Sequence, residues 1–228
     1  MKKNVFLLML AVLISSVFAA KDGSMEGYWP KSYYAELGMG MTASKGDMSE
    51  RILKLKSEDG EKETVHPAAL NLMGSPNLAL GANIAQFSLE ANFMYWQYVE
   101  LLGGFPTEDV EDEVRMLRVG FNVIYNFFFP DFFQAGAGLG YSYYNIKTTN
   151  NVFDSEANRS NSELMGSAFN IVLNMRYYIS DNFALVPAIK IYEAWFHTIY
   201  TDKGGTCDLS SNIWQTFVSV EMNLHFQF

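Results

Sequence analysis

Eight stretches of this chain repeat with a two-residue period, and the connections between them run alternately long and short. In SYYAELGMGMT (32–42), Tyr33, Ala35, Leu37, Met39 and Met41 fall on one side and Tyr34, Glu36, Gly38 and Gly40 on the other. The same rhythm marks NLALGANI (77–84), FSLEANFMYWQYV (87–99), MLRVGFNVIYNFF (116–128) and FQAGAGLGYSYYNI (133–146). It continues in AFNIVLNMRYYI (168–179), FALVPAIKIYEAWF (183–196) and IWQTFVSVEMNLHFQF (213–228). A period of two is the period of a β-strand, whose successive side chains point to opposite faces of a sheet. Residues 43–76, 100–113, 147–163 and 201–212 form the long connections, whereas Ala85-Gln86, the Phe-Pro-Asp turn at 129–131 and Ser180-Asp181-Asn182 form the short ones. In an up-and-down barrel every second connection lies at the same end, so this order puts all the long loops on one rim.

Alternation alone does not say which face is wet. The minority face carries Glu36, Glu90, Arg118, Arg176, Lys190, Glu221 and His225 among Asn92, Asn122, Asn170, Asn174 and several glycines. That is roughly one charge per strand, too few to solvate a protein's outside, where both signs are dense. It is enough for a set of mutually neutralising groups in a narrow interior, which eight strands leave just wide enough for side chains. The opposite face is nearly free of charge. The expectation is therefore an inverted barrel, greasy outside, with those seven residues forming a polar network in the lumen. Aromatics bunch at the strand ends: Phe127, Phe128, Phe129, Phe132, Phe133, Tyr177, Tyr178, Phe183, Phe226 and Phe228 at the short-turn rim, and Tyr98, Tyr143, Tyr144, Trp195, Tyr200 and Trp214 at the other. Two girdles suit ring anchoring at lipid headgroups.

Composition agrees. The chain is 49% apolar, 15% aromatic and only 18% charged, and its formal charge of −9 excludes a phosphate backbone as partner. Lys2 and Lys3, the apolar run Val5 to Ile14 and the small residues Val17 and Ala19 have the layout of an export signal over 1–19. Residues 20–31 then make an N-terminal periplasmic segment and 32–228 the barrel. Beyond residue 20 no apolar run reaches the length of a helical span. With Cys207 alone, no intramolecular disulfide can form. The long stretch 43–76 mixes both signs of charge, which predicts a surface loop with room for a short helical turn around 49–56. Pro187 inside the seventh strand removes a ladder donor and predicts a bulge.

On these residues the chain resembles the small eight-stranded outer-membrane β-barrels of Gram-negative bacteria, those like outer-membrane proteins A and X and the surface-antigen group. FQAGAGLGYSYY, LGANI with FSLEANF, FNVIYNFF and the terminal Phe228 carry the likeness, which covers about 32–228. It implies a closed antiparallel all-β transmembrane barrel in the outer membrane. It further implies that Val218, Val220, Met222, Leu224, Phe226 and Phe228 are the ending read by the barrel-assembly machinery. Periplasmic chaperones, membrane lipid and lipopolysaccharide are the implied partners. The first long loop is larger than compact members carry, and the wall-tethering role of the two-domain members is not expected.

Chemistry is sparse. A lipid A deacylase of this size would need a His and a Ser two apart on an outward face with a carboxylate nearby. The residue two after His197 is Ile199, so Glu193 and His197 lack a nucleophile. No residue cluster has metal-ligand spacing, and no cofactor or enzyme activity is expected. The primary expectation is a structural and surface-interaction role, with the long loops meeting an unidentified extracellular ligand. A narrow channel or transporter for small or hydrophobic solutes is the alternative, and a lipid A or phospholipid-modifying barrel the third.

Overall fold

The computed structural model describes residues 32–47, 53–56, 62–65, 72–100, 112–129, 133–148, 162–180, 182–201 and 205–228. The export signal, the 20–31 segment, His66, Phe132 and most of the long connections lie outside these residues. Lys31–Phe228 forms one unit, in which eight strands close a barrel and two make a separate hairpin. In chain order these are β1 (Ser32–Gly46), β2 (Leu53–Lys56), β3 (Lys62–Val65), β4 (Leu72–Ile84) and β5 (Phe87–Glu100). Then come β6 (Asp112–Phe129), β7 (Phe133–Thr148), β8 (Ser162–Ser180), β9 (Phe183–Thr201) and β10 (Gly205–Gln227). Every neighbouring pair in the barrel is antiparallel, and β1 closes against β10. Closure gives every barrel strand a partner on both sides, as a sheet in lipid needs, since no water there satisfies stray amides.

Stepping sideways from Glu36 through Ala79, Asn92, Gly120, Ser142, Ala168, Ala194 and Gln215 returns to β1 at Gly46, ten residues further along. Such a stagger on eight strands tilts them by about 40° to the barrel axis. It also fixes which residues share a level inside.

The faces are those the period of two demands. Leu37, Met39, Leu80, Phe93, Val119, Phe121, Leu139, Phe169, Leu173, Ile189, Val220 and Met222 are all exposed on the outside. The buried residues include Glu36, Glu90, Arg118, Arg176, Lys190, Glu221 and His225. Tyr177, Phe226 and Phe228 face outward at one end, and Tyr143, Tyr200 and Trp214 at the other. Two of the expected girdle residues whose side chains are described do not, while Tyr98, Phe128, Phe129 and Phe132 lie outside the described side chains. Tyr144 is buried in the lumen, and the half-buried Tyr178 donates its hydroxyl to Gln134 Oε1 at 3.0 Å. Each shares the parity of an inward neighbour, and parity overrides nearness to the rim.

Three further details depart from the sequence-based expectations. Leu53–Lys56 is a strand paired with Lys62–Val65, so no helical turn occupies 53–56. The alternation Leu-Lys-Leu-Lys favours a two-faced ribbon. Pro187 sits without a register shift; the shifts between β8 and β9 fall at Met165/Gly166 and Tyr178/Ser180, and another between β9 and β10 at Asp208/Ile213. An outward proline forfeits one ladder bond without adding a residue to the strand. The barrel strands also outrun the segments read from sequence, β10 reaching 23 residues, because pairing continues into the polar connections.

Candidate functional site

The lumen is stratified along the barrel axis. Near the short-turn end, Glu36 from β1 meets Arg176 from β8 and His225 from β10, although β1 and β8 are not neighbours. Arg176 Nη2 lies 3.4 Å and His225 Nδ1 2.9 Å from the same oxygen, Glu36 Oε1. Arg176 also donates to Ser88 Oγ at 3.3 Å and stands over the Tyr34 ring, 4.6 Å from its centroid.

The middle layer joins Glu90 of β5 and Lys190 of β9 across the lumen. Lys190 Nζ is 2.9 Å from Glu221 Oε2 and 3.8 Å from Glu90 Oε1. Asn122 donates to Glu90 Oε1 at 2.9 Å, and Asn170 donates to Asn122 Oδ1 at 3.0 Å and Ser142 Oγ at 2.8 Å. Tyr34 donates to Glu90 Oε2 at 3.4 Å, tying this layer to the one below. Arg118 forms the upper boundary, with its guanidinium 4.2 Å from the Tyr192 ring centroid and Nη2 3.9 Å from Glu221 Oε1.

Three carboxylates thus face three basic side chains in the buried lumen. An isolated charge there would cost several kcal/mol, and pairing with hydrogen-bonded neighbours offsets that cost. Above Arg118 the lumen turns apolar: Met94, Met116, Tyr144, Ile146, Tyr192, Phe196 and Phe217 pack into one cluster. Tyr144 and Phe217 stack with centroids 5.2 Å apart.

All seven lumen residues singled out from sequence therefore lie inside, divided between two layers and the boundary above them. Their partners were less visible. Tyr34, Ser88, Ser142, Tyr144 and Tyr192 carry no charge to draw attention, but each occupies an inward parity position that would have identified it. Glycines leave room for this filling. A Cβ on Gly120 would lie 2.9 Å from Asn92 Oδ1, and one on Gly40 would lie 2.8 Å from Glu221 Cγ.

On the outer wall Glu193 accepts from Thr216 Oγ1 at 2.8 Å, and His197 Nδ1 lies 2.8 Å from Thr198 Oγ1. The two share β9 and the outward face, each occupied with a threonine.

Val218, Val220, Met222, Leu224 and Phe226 line the outer face of β10 and Phe228 follows its end, all exposed. This strand pairs with β1 from Gln215 to Gln227 and with β9 from Gly205 to Phe226.

No family model matches the sequence, and no curated protein matches it. Solved structures do match the fold. Neisserial surface protein A superposes with a TM-score of 0.53 at 10% identity, over 86% of this chain and 97% of that one. The outer membrane protein OprG from Pseudomonas aeruginosa gives 0.53 at 13% identity, over 89% and 98%. With its apolar outer belt and closed sheet, the chain has the fold of a small eight-stranded β-barrel, the fold of these two outer-membrane proteins.

Proposed function

We propose that this protein is a non-conducting barrel of a Gram-negative-type outer membrane, whose work is done by the loops it holds at the cell surface. The cross-lumen contacts carry this reading. Arg176 of β8 reaches Glu36 of β1, and Lys190 of β9 reaches Glu90 of β5, so side chains from non-adjacent walls meet. An ion moving along the axis would have to separate these pairs and the apolar cluster above them, a barrier of several kcal/mol at each layer. The eight strands then serve as a rigid mount. The paired strand ends Ala43 with Leu72, Glu100 with Asp112 and Thr148 with Ser162 share one rim, so the connections between them can meet an extracellular ligand, a neighbouring protein or lipopolysaccharide.

Planar-bilayer recording tests the proposal. The refolded full chain should give no steady conductance steps, and the Glu36→Ala/Glu90→Ala double variant should give more current than the parent. Steady unitary openings of the parent protein would replace this reading with that of a narrow channel.

A further inference from the structure

The outside of the wall changes chemistry at one row of residues. Across β1, β10 and β9 the register joins Lys45 to Thr216 and Thr216 to Glu193, so these three outward side chains stand abreast. Toward the short-turn end the next outward rows are Ala43–Val218–Ile191 and Met41–Val220–Ile189, apolar across all three strands. Met41 and Val220 are exposed there, at 57% and 58%. On a barrel held in a membrane, a charged row above apolar rows marks the level where lipid heads give way to their chains.

The two charges of the row are opposite, exposed and apart. Neither makes an ion pair among the described residues. At the same rim Lys147 of β7 and Glu163 of β8, register partners on adjacent strands, do pair with each other. Lys45 and Glu193 are instead separated by the strand that carries Thr216, two interstrand spacings or about 10 Å. Glu193 accepts from Thr216 Oγ1 at 2.8 Å, which turns its carboxylate toward the middle of the row. Asp47, two residues past Lys45, is engaged elsewhere: its Oδ2 accepts from the Trp214 backbone N–H at 2.8 Å.

Rings border the Glu193 carboxylate. Phe169 is its register partner on β8, and Trp195 is the next outward residue of β9. Their centroids lie 5.1 Å apart, and Trp195 also meets Trp214 at 5.9 Å and Tyr141 at 6.2 Å. Phe169, Trp214 and Tyr141 are exposed. A carboxylate beside open aromatic faces attracts an ammonium ion through its charge and through the rings' quadrupoles.

We propose that this row binds the head of a membrane lipid that carries phosphoethanolamine. The phosphate takes Lys45, a charge-assisted contact. The primary ammonium takes Glu193 beside the Phe169 and Trp195 rings, and the two-carbon bridge between the charges lies over Thr216. The acyl chains run down the Val218 and Val220 rows. A purely anionic head would satisfy Lys45 but set a second negative charge against Glu193, so the row selects against it. The site rests on the proposed membrane position of the barrel and not on its lumen being closed to ions, so lipid selectivity and conductance can fail separately.

Native mass spectrometry tests the site, with the refolded full chain released from non-ionic micelles holding equal amounts of phosphatidylethanolamine and phosphatidylglycerol of the same chains. The parent should retain the ethanolamine lipid about fivefold over the glycerol lipid, the size of one exposed ion pair. Glu193→Gln should bring the two to parity by losing the ethanolamine lipid, and Lys45→Gln should lower both. Both positions are exposed, and the folded gel band of each variant shows that its barrel is intact. Equal retention of the two lipids by the parent, or a preference that Glu193→Gln leaves unchanged, would overturn the site. Parent-level binding of both lipids by Lys45→Gln would overturn the phosphate contact. Displacement of the lipid by soluble phosphoethanolamine at equal concentration would make the ligand a free one and overturn the lipid. A doubled protein mass that either single variant abolishes would put the Lys45 of a second copy on Glu193 and overturn it too.

Discussion

Tyr33 and Phe228 exchange both of their backbone hydrogen bonds, Tyr33 N–H to Phe228 O at 3.1 Å and Phe228 N–H to Tyr33 O at 2.9 Å. The last residue of the chain is thereby tied to the second residue of β1. Gln227 N–H adds a bond to Asn182 O at 2.9 Å on the other side of β10. A terminus in water frays at little cost, but one that completes a wall in lipid leaves bare amides if it lifts.

Deleting Phe228 and replacing it with alanine should therefore differ. The deletion loses both seam bonds and should lower the temperature at which the folded, faster-migrating gel band disappears. Phe228→Ala keeps both bonds and should refold in micelles nearly as the parent does. If the exposed ring is part of an ending read during assembly, as we propose, Phe228→Ala should still accumulate poorly in the outer membrane of cells. Equal membrane levels for Phe228→Ala and parent would remove that role for the ring.

Ala85 has φ of 52° in the two-residue connection between β4 and β5. Left-handed geometry costs an L-residue roughly 1–2 kcal/mol. Glycine is free of that strain but loses more entropy on folding, about 0.5–1 kcal/mol. The strain is the larger effect, so Ala85→Gly should stabilise the barrel by about 0.5–1 kcal/mol in reversible urea unfolding from lipid vesicles. A destabilised variant would show that the turn is not strained.

Glu36 holds both Arg176 and His225, so Glu36→Ala should leave Arg176 as a buried cation without its carboxylate. The expected loss is about 3–5 kcal/mol. Replacing Glu36 and Arg176 together by methionine removes the charges as a pair and should recover most of that loss. A double-mutant cycle in urea measures the coupling directly. Additive losses would mean that the pair contributes nothing beyond its separate packing.

Gly138 should not accept a side chain. A Cβ there would lie 2.6 Å from Val123 O and 2.9 Å from Ile124 Cα, both in the backbone of the adjacent strand. Since the hydrogen-bonded wall cannot retreat, Gly138→Ala should destabilise by about 1–3 kcal/mol, visible as an earlier loss of the folded gel band. Unchanged stability would show that β6 and β7 can part locally.

Much of the molecule was legible because the repeat of a strand is two residues, and parity is printed in the chain. Glu36, Lys190 and Glu221 could be assigned to one face by counting from their neighbours, and the long-short order of connections set the up-and-down topology. Parity even overruled the rim positions of Tyr144 and Tyr178, which point inward because their sequence neighbours point out. What counting cannot supply is stagger. Whether Arg176 meets Glu36, or Lys45 and Glu193 flank Thr216, depends on the ten-residue offset accumulated around the barrel. That offset is a property of the closed sheet: each strand's register is set by its neighbours' hydrogen bonds, and only ring closure makes all eight consistent. The local alternation thus determined the two faces, and the tertiary structure alone decided which buried groups touch.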